Sequence, residues 1–461
     1  MLIGLLIFAG IYFTIRLKFI QFNHFFLSSR LMMLGKNDRD HHVSPFEALA
    51  TSLAARVGTG NIAGVAVAIS LGGPGAVFWM WVVAFLGMST AFVESTLAQL
   101  FKHKEDDGSF IGGPAYYIER GLGQRWLGII FAILLVITFG CVFIAVQSNT
   151  IARAAHDSMN IDPLWIGLLL VALTAPIIFG GITRIAHIAG KVVPIMAIAY
   201  LALGFVVILL EINKVPELIA LIVKSAFGLT EASSGMLGII IANGVKRGLF
   251  SNEAGMGSAP NIAAAADPTP PHPAAQGFVQ MMGVYIDTIF VCTTTAIIIL
   301  LSGVYQPGQE MQAVVLTQNA LAAEVGGWGN HFLTIVIFFF CFTTILGNYA
   351  YSESCLKFIT QHRWVLIIYR FFAIFMIFWG VYEEVPLLWN AADASMSMMA
   401  IVNLIAILLL GKYAFALAKD FLEQLKTKED PIFDPLMFPE LKGKISQDVW
   451  FDSDDPTKNN F

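Results

Sequence analysis

Residues 54–64 read AARVGTGNIAG, and residues 243–261 read NGVKRGLFSNEAGMGSAPN. Both lie inside long apolar runs, and both are wrong for a continuous helix. Glycines at 58, 60 and 64 weaken a helix and let backbone or a ligand approach closely. The second stretch is unusually polar, with Lys246, Arg247 and Glu253 among its glycines and asparagines. Irregular backbone survives in a bilayer only where protein or a water-lined cavity covers it. These two stretches therefore predict a pair of interrupted membrane helices.

The surroundings support a membrane setting. Hydrophobic residues make up 57% of the 461-residue chain, charged residues only 13%, and mean hydropathy is +0.73. A soluble globular chain carries about 25% charged residues, so an ordinary soluble enzyme is excluded. The net charge of −5 leaves no basic footprint for nucleic acid. Cys141, Cys292, Cys341 and Cys355 stand singly in apolar segments, which suggests packed free thiols rather than disulfides or a zinc site. The nine histidines form no HExxH motif, so zinc chemistry is unsupported. The apolar start, MLIGLLIFAGIYFTI, has no basic n-region and reads as membrane helix rather than a cleaved leader.

Across the chain, apolar segments long enough to cross a bilayer recur at 1–20, 46–71, 75–100, 126–151, 163–180, 189–211, 233–265, 276–303, 330–356, 364–380 and 386–410. The reading is an all-α integral membrane protein with eleven transmembrane helices. Residues 1–20 form an extra first helix, 46–211 one five-helix half, 233–410 a second, and 411–461 a polar tail. One broken segment heads each half, the pattern of a five-plus-five inverted-repeat transporter with its site at midplane. A short apolar-periodic stretch near 308–324 is expected to lie along the outer membrane face. Of 27 basic residues, 20 fall in connections on one side and only Arg153, Lys214 and Lys224 on the other. That bias places the N-terminus outside and the C-terminus in the cytoplasm.

Unwinding frees backbone groups. Amides of Gly58, Thr59 and Gly60 are candidate donors to a carboxylate, and carbonyls of Ala54 and Val57 suit a small hard cation. The alternative for the glycines is close helix packing. In the second break, Phe250 is either an aromatic gate or core packing, while Ser251 and Asn252 offer acceptors to an amine or cation. Thr343 and Thr344 either back-bond to their own helix or give hydroxyls to sodium. Asn348 lies one turn further, and a buried amide there needs partners that a ligand can supply. Arg56, Glu94, Asp287 and Glu353 are read as members of structural or gating ion pairs.

These residues resemble the alanine or glycine:cation symporter family, a branch of the amino acid–polyamine–organocation superfamily. The resemblance rests on GGPGAVFWMWVVAFLG at 72–87, with VGTGNIAG at 57–64, GGPAYYIERGLG at 112–123, RGLFSNEAGMGSAP at 247–260 and TTILG at 343–347. It implies a leucine-transporter-like fold and sodium-coupled, sometimes proton-coupled, uptake of small neutral amino acids. By motif position, the substrate carboxylate meets the amides of Thr59 and Gly60, and the amine lies near Phe250 and Ser251. Sodium lies between Ala54, Val57, Phe340, Thr343 and Thr344. A second sodium site near Asn61 is not carried over.

One departure stands out. The family has Trp directly after TTILG, and this chain has Asn348. An amide in place of an indole predicts a roomier, more polar pocket, open to glutamine, asparagine or serine beside alanine. The expected unit is a monomer in a prokaryotic inner membrane, working by alternating access without catalytic chemistry. The rival readings are a channel, a membrane-embedded enzyme, and a sensor that binds an amino acid without moving it.

Overall fold

The computed structural model describes residues 1–34, 43–106, 108–180, 182–230, 236–307, 313–427 and 430–451. Helix α1 spans Leu2–Arg16, and α2 spans Phe25–Leu34. The first interrupted segment comprises α3 (Pro45–Arg56) and α4 (Val65–Gly72), joined through a wide helical turn at Gly60–Gly64. Ser44 and Glu47 close a capping box on α3, with Pro45 at its first position, so the start of this half-helix is firmly specified. Its end is a 53° bend.

Helix α5 (Gly75–Leu100) follows, and α6 (Pro114–Leu122) leads into α7 (Arg125–Met159). Then come α8 (Pro163–Ile178), α9 (Ile182–Leu210) and α10 (Val215–Ala226). The second interrupted segment starts with α11 (Leu237–Asn252) and ends in turns that carry Glu253 at φ +57°. Helix α12 (Pro273–Leu301) passes through a wide turn at Tyr285–Cys292. Helices α13 (Val314–Val325), α14 (Trp328–Ile359), α15 (Arg363–Gly380) and α16 (Val385–Gln424) complete the order. The first residues of the expected external helix, 308–312, lie outside the described residues.

The expected eleven-span, leucine-transporter-like, five-plus-five architecture is corrected here. Among the described residues, seven helices are long and apolar enough to cross a membrane, or eight if the bent pair counts as one span. Three segments read as spans fall short. Helix α1 has 15 residues, and α8 and α11 have 16 each. At 1.5 Å per residue none of them covers a hydrocarbon core of about 30 Å. In 233–265 the cause is chemical: the polar run ends the helix at Asn252 instead of carrying it onward. The fold is a polytopic all-α membrane fold.

Burial separates centre from periphery. In the most apolar window of α14, 78% of residues are buried, against 28% for α15 and 33% for the α9 window. Ile195, Ile198, Trp364 and Phe371 on those outer helices are exposed, as lipid-facing side chains must be. The central position of α14 brings Thr344 against the first break.

The chain beyond α16 folds back on the body. Phe433 donates its amide to Pro271 O (3.1 Å), and Trp450 Nε1 donates to Leu100 O (3.2 Å). Lys102, just past the end of α5, is buried over the ring of Phe110 and donates to Ala266 O (2.8 Å). Burial pushes its ammonium down to about 7, against the opposing charge of Asp267.

Candidate functional site

The first break sits where three helices converge on fully buried polar atoms. Thr344 Oγ1 on α14 lies 2.7 Å from Ala54 O, 3.3 Å from Val57 O and 2.9 Å from Phe340 O. Three carbonyl oxygens thus meet around one hydroxyl, which carries a single proton and can satisfy only one carbonyl at a time. Thr343 differs from its neighbour: its hydroxyl bonds back to Phe339 O and Phe340 O on its own helix. Of the five residues expected at a cation, Ala54, Val57, Phe340 and Thr344 are brought to one point, and Thr343 stands one carbonyl away.

The amides of Gly58 and Thr59 are engaged. Gly58 N–H donates to Asn61 Oδ1 (3.1 Å) and to Arg56 O (3.0 Å). Thr59 N–H donates to Gln147 Oε1 on α7 (2.9 Å), and the Thr59 hydroxyl donates to the same oxygen (2.8 Å). Gln147 is not among the residues that sequence reasoning singles out, yet its amide oxygen stands where a substrate carboxylate oxygen is expected. The available signal is Gln147, Ser148 and Asn149 in an otherwise apolar span.

Glycine is required twice here by close approach. A Cβ on Gly58 would collide with Thr344 Oγ1 and lie 2.7 Å from Gln147 Oε1. A Cβ on Gly60 would lie 2.9 Å from Phe250 Cδ1 and 3.2 Å from Ser251 Cα. The second contact joins the two breaks directly.

Asn61 locks that junction. Its Nδ2 donates to Ser251 Oγ (3.0 Å) and Asp287 O (3.0 Å), with Cys292 Sγ at 3.4 Å. Ser251 Oγ also meets Thr288 Oγ1 (3.2 Å). Phe250 is buried between the rings of Phe143 (4.6 Å) and Trp389 (4.9 Å), while Arg247 lies over Trp389 and bonds Asp393. Asn252 does not join this group in its hydrogen bonding. Its Oδ1 caps its own turn by accepting from Ala254 N–H (3.0 Å), and its side chain faces Gly87 on α5. Asn348 is completely buried, and among the described residues neither atom of its amide has a hydrogen-bond partner. A buried amide in that condition is costly unless something supplies the missing bonds.

Electrostatically, the surroundings are dominated by Arg56 and three carboxylates. Arg56 Nη1 stands 3.9 Å from Asp287 Oδ2, both fully buried. Glu94 accepts from Gly255 N–H and Asn403 Nδ2, and Glu253 accepts from Ser258 Oγ. Among the described residues, no group of three or more His, Cys, Asp or Glu is placed to hold a metal.

Comparison with known proteins gives the family. The chain is 48% identical over 435 residues to the Bacillus subtilis (strain 168) protein named "Probable sodium/glutamine symporter GlnT", covering 94% of this chain and 90% of that one. It is 39% identical over 434 residues to "Sodium/alanine symporter AgcS" of Methanococcus maripaludis, covering 92% and 94%. Among solved structures it resembles a mutant of the manganese transporter of Eremococcus coleocola, with a TM-score of 0.50 and 11% identity over 78% of this chain and 76% of the other. That last likeness concerns the fold alone, and at this level it supports a polytopic helical membrane fold and not an eleven-span assignment. The model of the sodium:alanine symporter family matches residues 1–435, and with nearly full-length relatives on either side the chain belongs to that family, a group of secondary transporters of small neutral amino acids.

Proposed function

We propose that this transporter takes up its amino acid together with sodium, and that the ion lies among Ala54 O, Val57 O, Phe340 O and Thr344 Oγ1, with Thr343 beside them. The observation that carries this is the convergence of three carbonyls on one hydroxyl within 3.3 Å. When sodium enters, the hydroxyl turns its proton away and presents a lone pair, so the same four oxygens become ligands. The ion then holds the bend of the first break in shape.

The amino acid binds beside it. Its carboxylate takes the place of Gln147 Oε1 on the amide of Thr59 and reaches the amide of Gly60, with Gly58 leaving room. Its amine meets Ser251 near Phe250, and its side chain reaches Asn348. Asn252 takes part by holding the second break rather than by contact. The buried Asn348 amide, with no partner among the described residues, favours a substrate that brings its own amide or hydroxyl. Glutamine, asparagine and serine therefore join alanine as candidates, in keeping with the relative named a sodium/glutamine symporter. The chain works as a monomer by alternating access, with its N-terminus outside and its C-terminus in the cytoplasm of a prokaryotic cell. No step makes or breaks a covalent bond.

The test is uptake into proteoliposomes of a panel of labelled neutral amino acids, with and without an inward sodium gradient. Saturable uptake that follows the gradient is expected, and Thr344→Ala should raise the sodium concentration for half-maximal uptake about tenfold before it alters the substrate ranking. Binding without accumulation would make the protein a sensor, and non-saturable flux would make it a channel. A proton gradient that replaces sodium fully would move coupling away from Thr344.

A further inference from the structure

Arg56 holds an unusual position. It lies in sequence between Ala54 and Val57, whose carbonyls are the proposed sodium ligands, and its own carbonyl accepts from Gly58 N–H (3.0 Å). Its side chain is fully buried and runs toward α12. There Gly283 leaves it space, since a Cβ at that position would lie 2.6 Å from Arg56 Nη1. Among the described residues, none of the three guanidinium nitrogens has a hydrogen-bond partner.

Opposite lies Asp287, in the wide turn Tyr285–Cys292. Its Oδ1 accepts from the Thr288 hydroxyl, whereas Oδ2 has no hydrogen-bond partner among the described residues and faces Arg56 Nη1 at 3.9 Å. A charge-assisted N–H···O bond is formed at about 2.8 Å, so this pair is aligned but not closed. The other carboxylates that feel Arg56 are already held. Glu94 is held by Gly255 and Asn403, and Glu253 by Ser258. Asp287 thus offers Arg56 a carboxylate oxygen without a competing hydrogen bond. Both groups are already out of water, so a closer approach adds Coulombic attraction and a charge-assisted hydrogen bond without further desolvation.

We propose that Arg56 and Asp287 form a latch that sodium closes. The inference rests on the sodium site placed at Thr344. An ion pulling Ala54 O and Val57 O around itself moves the one residue between them that carries a charged side chain. That movement brings the guanidinium onto Asp287 and ties the first break to the wide turn of α12. Because Asp287 O also accepts from Asn61, which bonds Ser251, closure reaches the junction of the two breaks. Arg56 is a positioning residue that acts through its neighbours' carbonyls; it is not a ligand of ion or substrate. Binding and latch closure are then reciprocal: whatever the latch adds to the sodium-bound state appears as sodium affinity.

The experiment measures the sodium-induced rise in melting temperature of the purified full-length protein, titrated to give a half-saturating sodium concentration, beside uptake in proteoliposomes. Asp287→Asn keeps shape but removes the charge, and Arg56→Gln removes the other partner. Each should raise the half-saturating sodium concentration about tenfold. The double variant should raise it no further than either single change, and its melting temperature without sodium should exceed that of the singles, because no lone buried charge remains. Gly283→Ala, which displaces the guanidinium without touching a charge, should act in the same direction as Asp287→Asn and serves where a charge variant does not fold. Unchanged sodium affinity in folded Asp287→Asn, or effects that multiply in the double variant, would overturn the latch while wild-type sodium dependence leaves the sodium site standing. Loss of sodium dependence in the wild type would instead strike the site itself.

Discussion

The two breaks answer the same problem in different ways. At the first, residues 57–64, Gly58 N–H is held locally by Asn61 Oδ1 and Arg56 O, but Thr59 N–H and Val57 O are held from a distance, by Gln147 on α7 and Thr344 on α14. At the second, residues 253–259, most of the work is local. Asn252 accepts from Ala254, Ser258 donates to Glu253, and Met256 N–H donates to Glu253 O, with Glu94 and Asn403 as outside anchors on the amide and carbonyl of Gly255. Remote side chains can withdraw and be replaced by an ion or a carboxylate. A turn whose other bonds are largely its own offers fewer such places. The difference suggests that the first break is where ligands exchange and the second is the fixed wall against which they are held.

Crowding the first break should do the most damage. Gly58→Ala puts a methyl onto Thr344 Oγ1 and Gln147 Oε1. Overpacking of about 3 kcal/mol would lower uptake on the order of 100-fold, with the protein still folded in detergent. The matching change in the second break, Gly255→Ala, meets Leu404 Cδ2 at 2.9 Å with φ at +90°, and should lower the melting temperature more than the affinity of the folded fraction. If both variants lose uptake and stability equally, the division of labour between the breaks is wrong.

Next in size is Gln147→Ala. It removes the oxygen that accepts from both Thr59 N–H and Oγ1, leaving the hydroxyl only Cys341 Sγ at 3.3 Å, at a cost of about 1–3 kcal/mol to the empty site. A substrate carboxylate can repair that loss and a weaker ligand cannot. We expect KM to fall about tenfold, within that range, with sodium dependence retained. An unaltered KM would remove Gln147 from the path of the carboxylate.

On the helix facing the first break, Asn348→Trp replaces the unsatisfied amide by an apolar wall. The glutamine-to-alanine uptake ratio should fall about tenfold, within the range of about 1–3 kcal/mol that pocket shape commands. An unchanged ranking would place Asn348 outside the substrate pocket.

What is legible in the sequence follows the same division. Both breaks are visible because glycine and charge are rare in apolar runs, and the candidate cation site comes through motifs that name both of its helices. Gln147 and the partner of Arg56 are not visible, since residues 88 and 231 positions apart meet only through packing. Asn252 caps its own turn, and residue type alone does not separate that role from contact with a ligand, because a polar side chain next to a break can do either. The span count fails for a different reason: apolar composition sets the segment limits, while helix length is decided by Asn252, Leu17 and Pro163, where caps and polar turns end or begin the hydrogen-bonded run.

Ser258→Ala should disturb transport least, and that is its use. Ser258 Oγ donates to Glu253 Oε2 at 2.6 Å, a bond wholly inside the second break. Removing it leaves a buried carboxylate with one fewer donor, a loss of about 1–3 kcal/mol that should appear as a lower melting temperature. Because no ligand is asked to replace that bond, KM for the amino acid and half-saturating sodium should stay within about twofold, a difference of roughly 0.4 kcal/mol. A tenfold change in either would mean that the second break rearranges during transport. The two breaks would then be two moving halves of one site, and the self-satisfied turn at Glu253 would be one state of a switch rather than a wall.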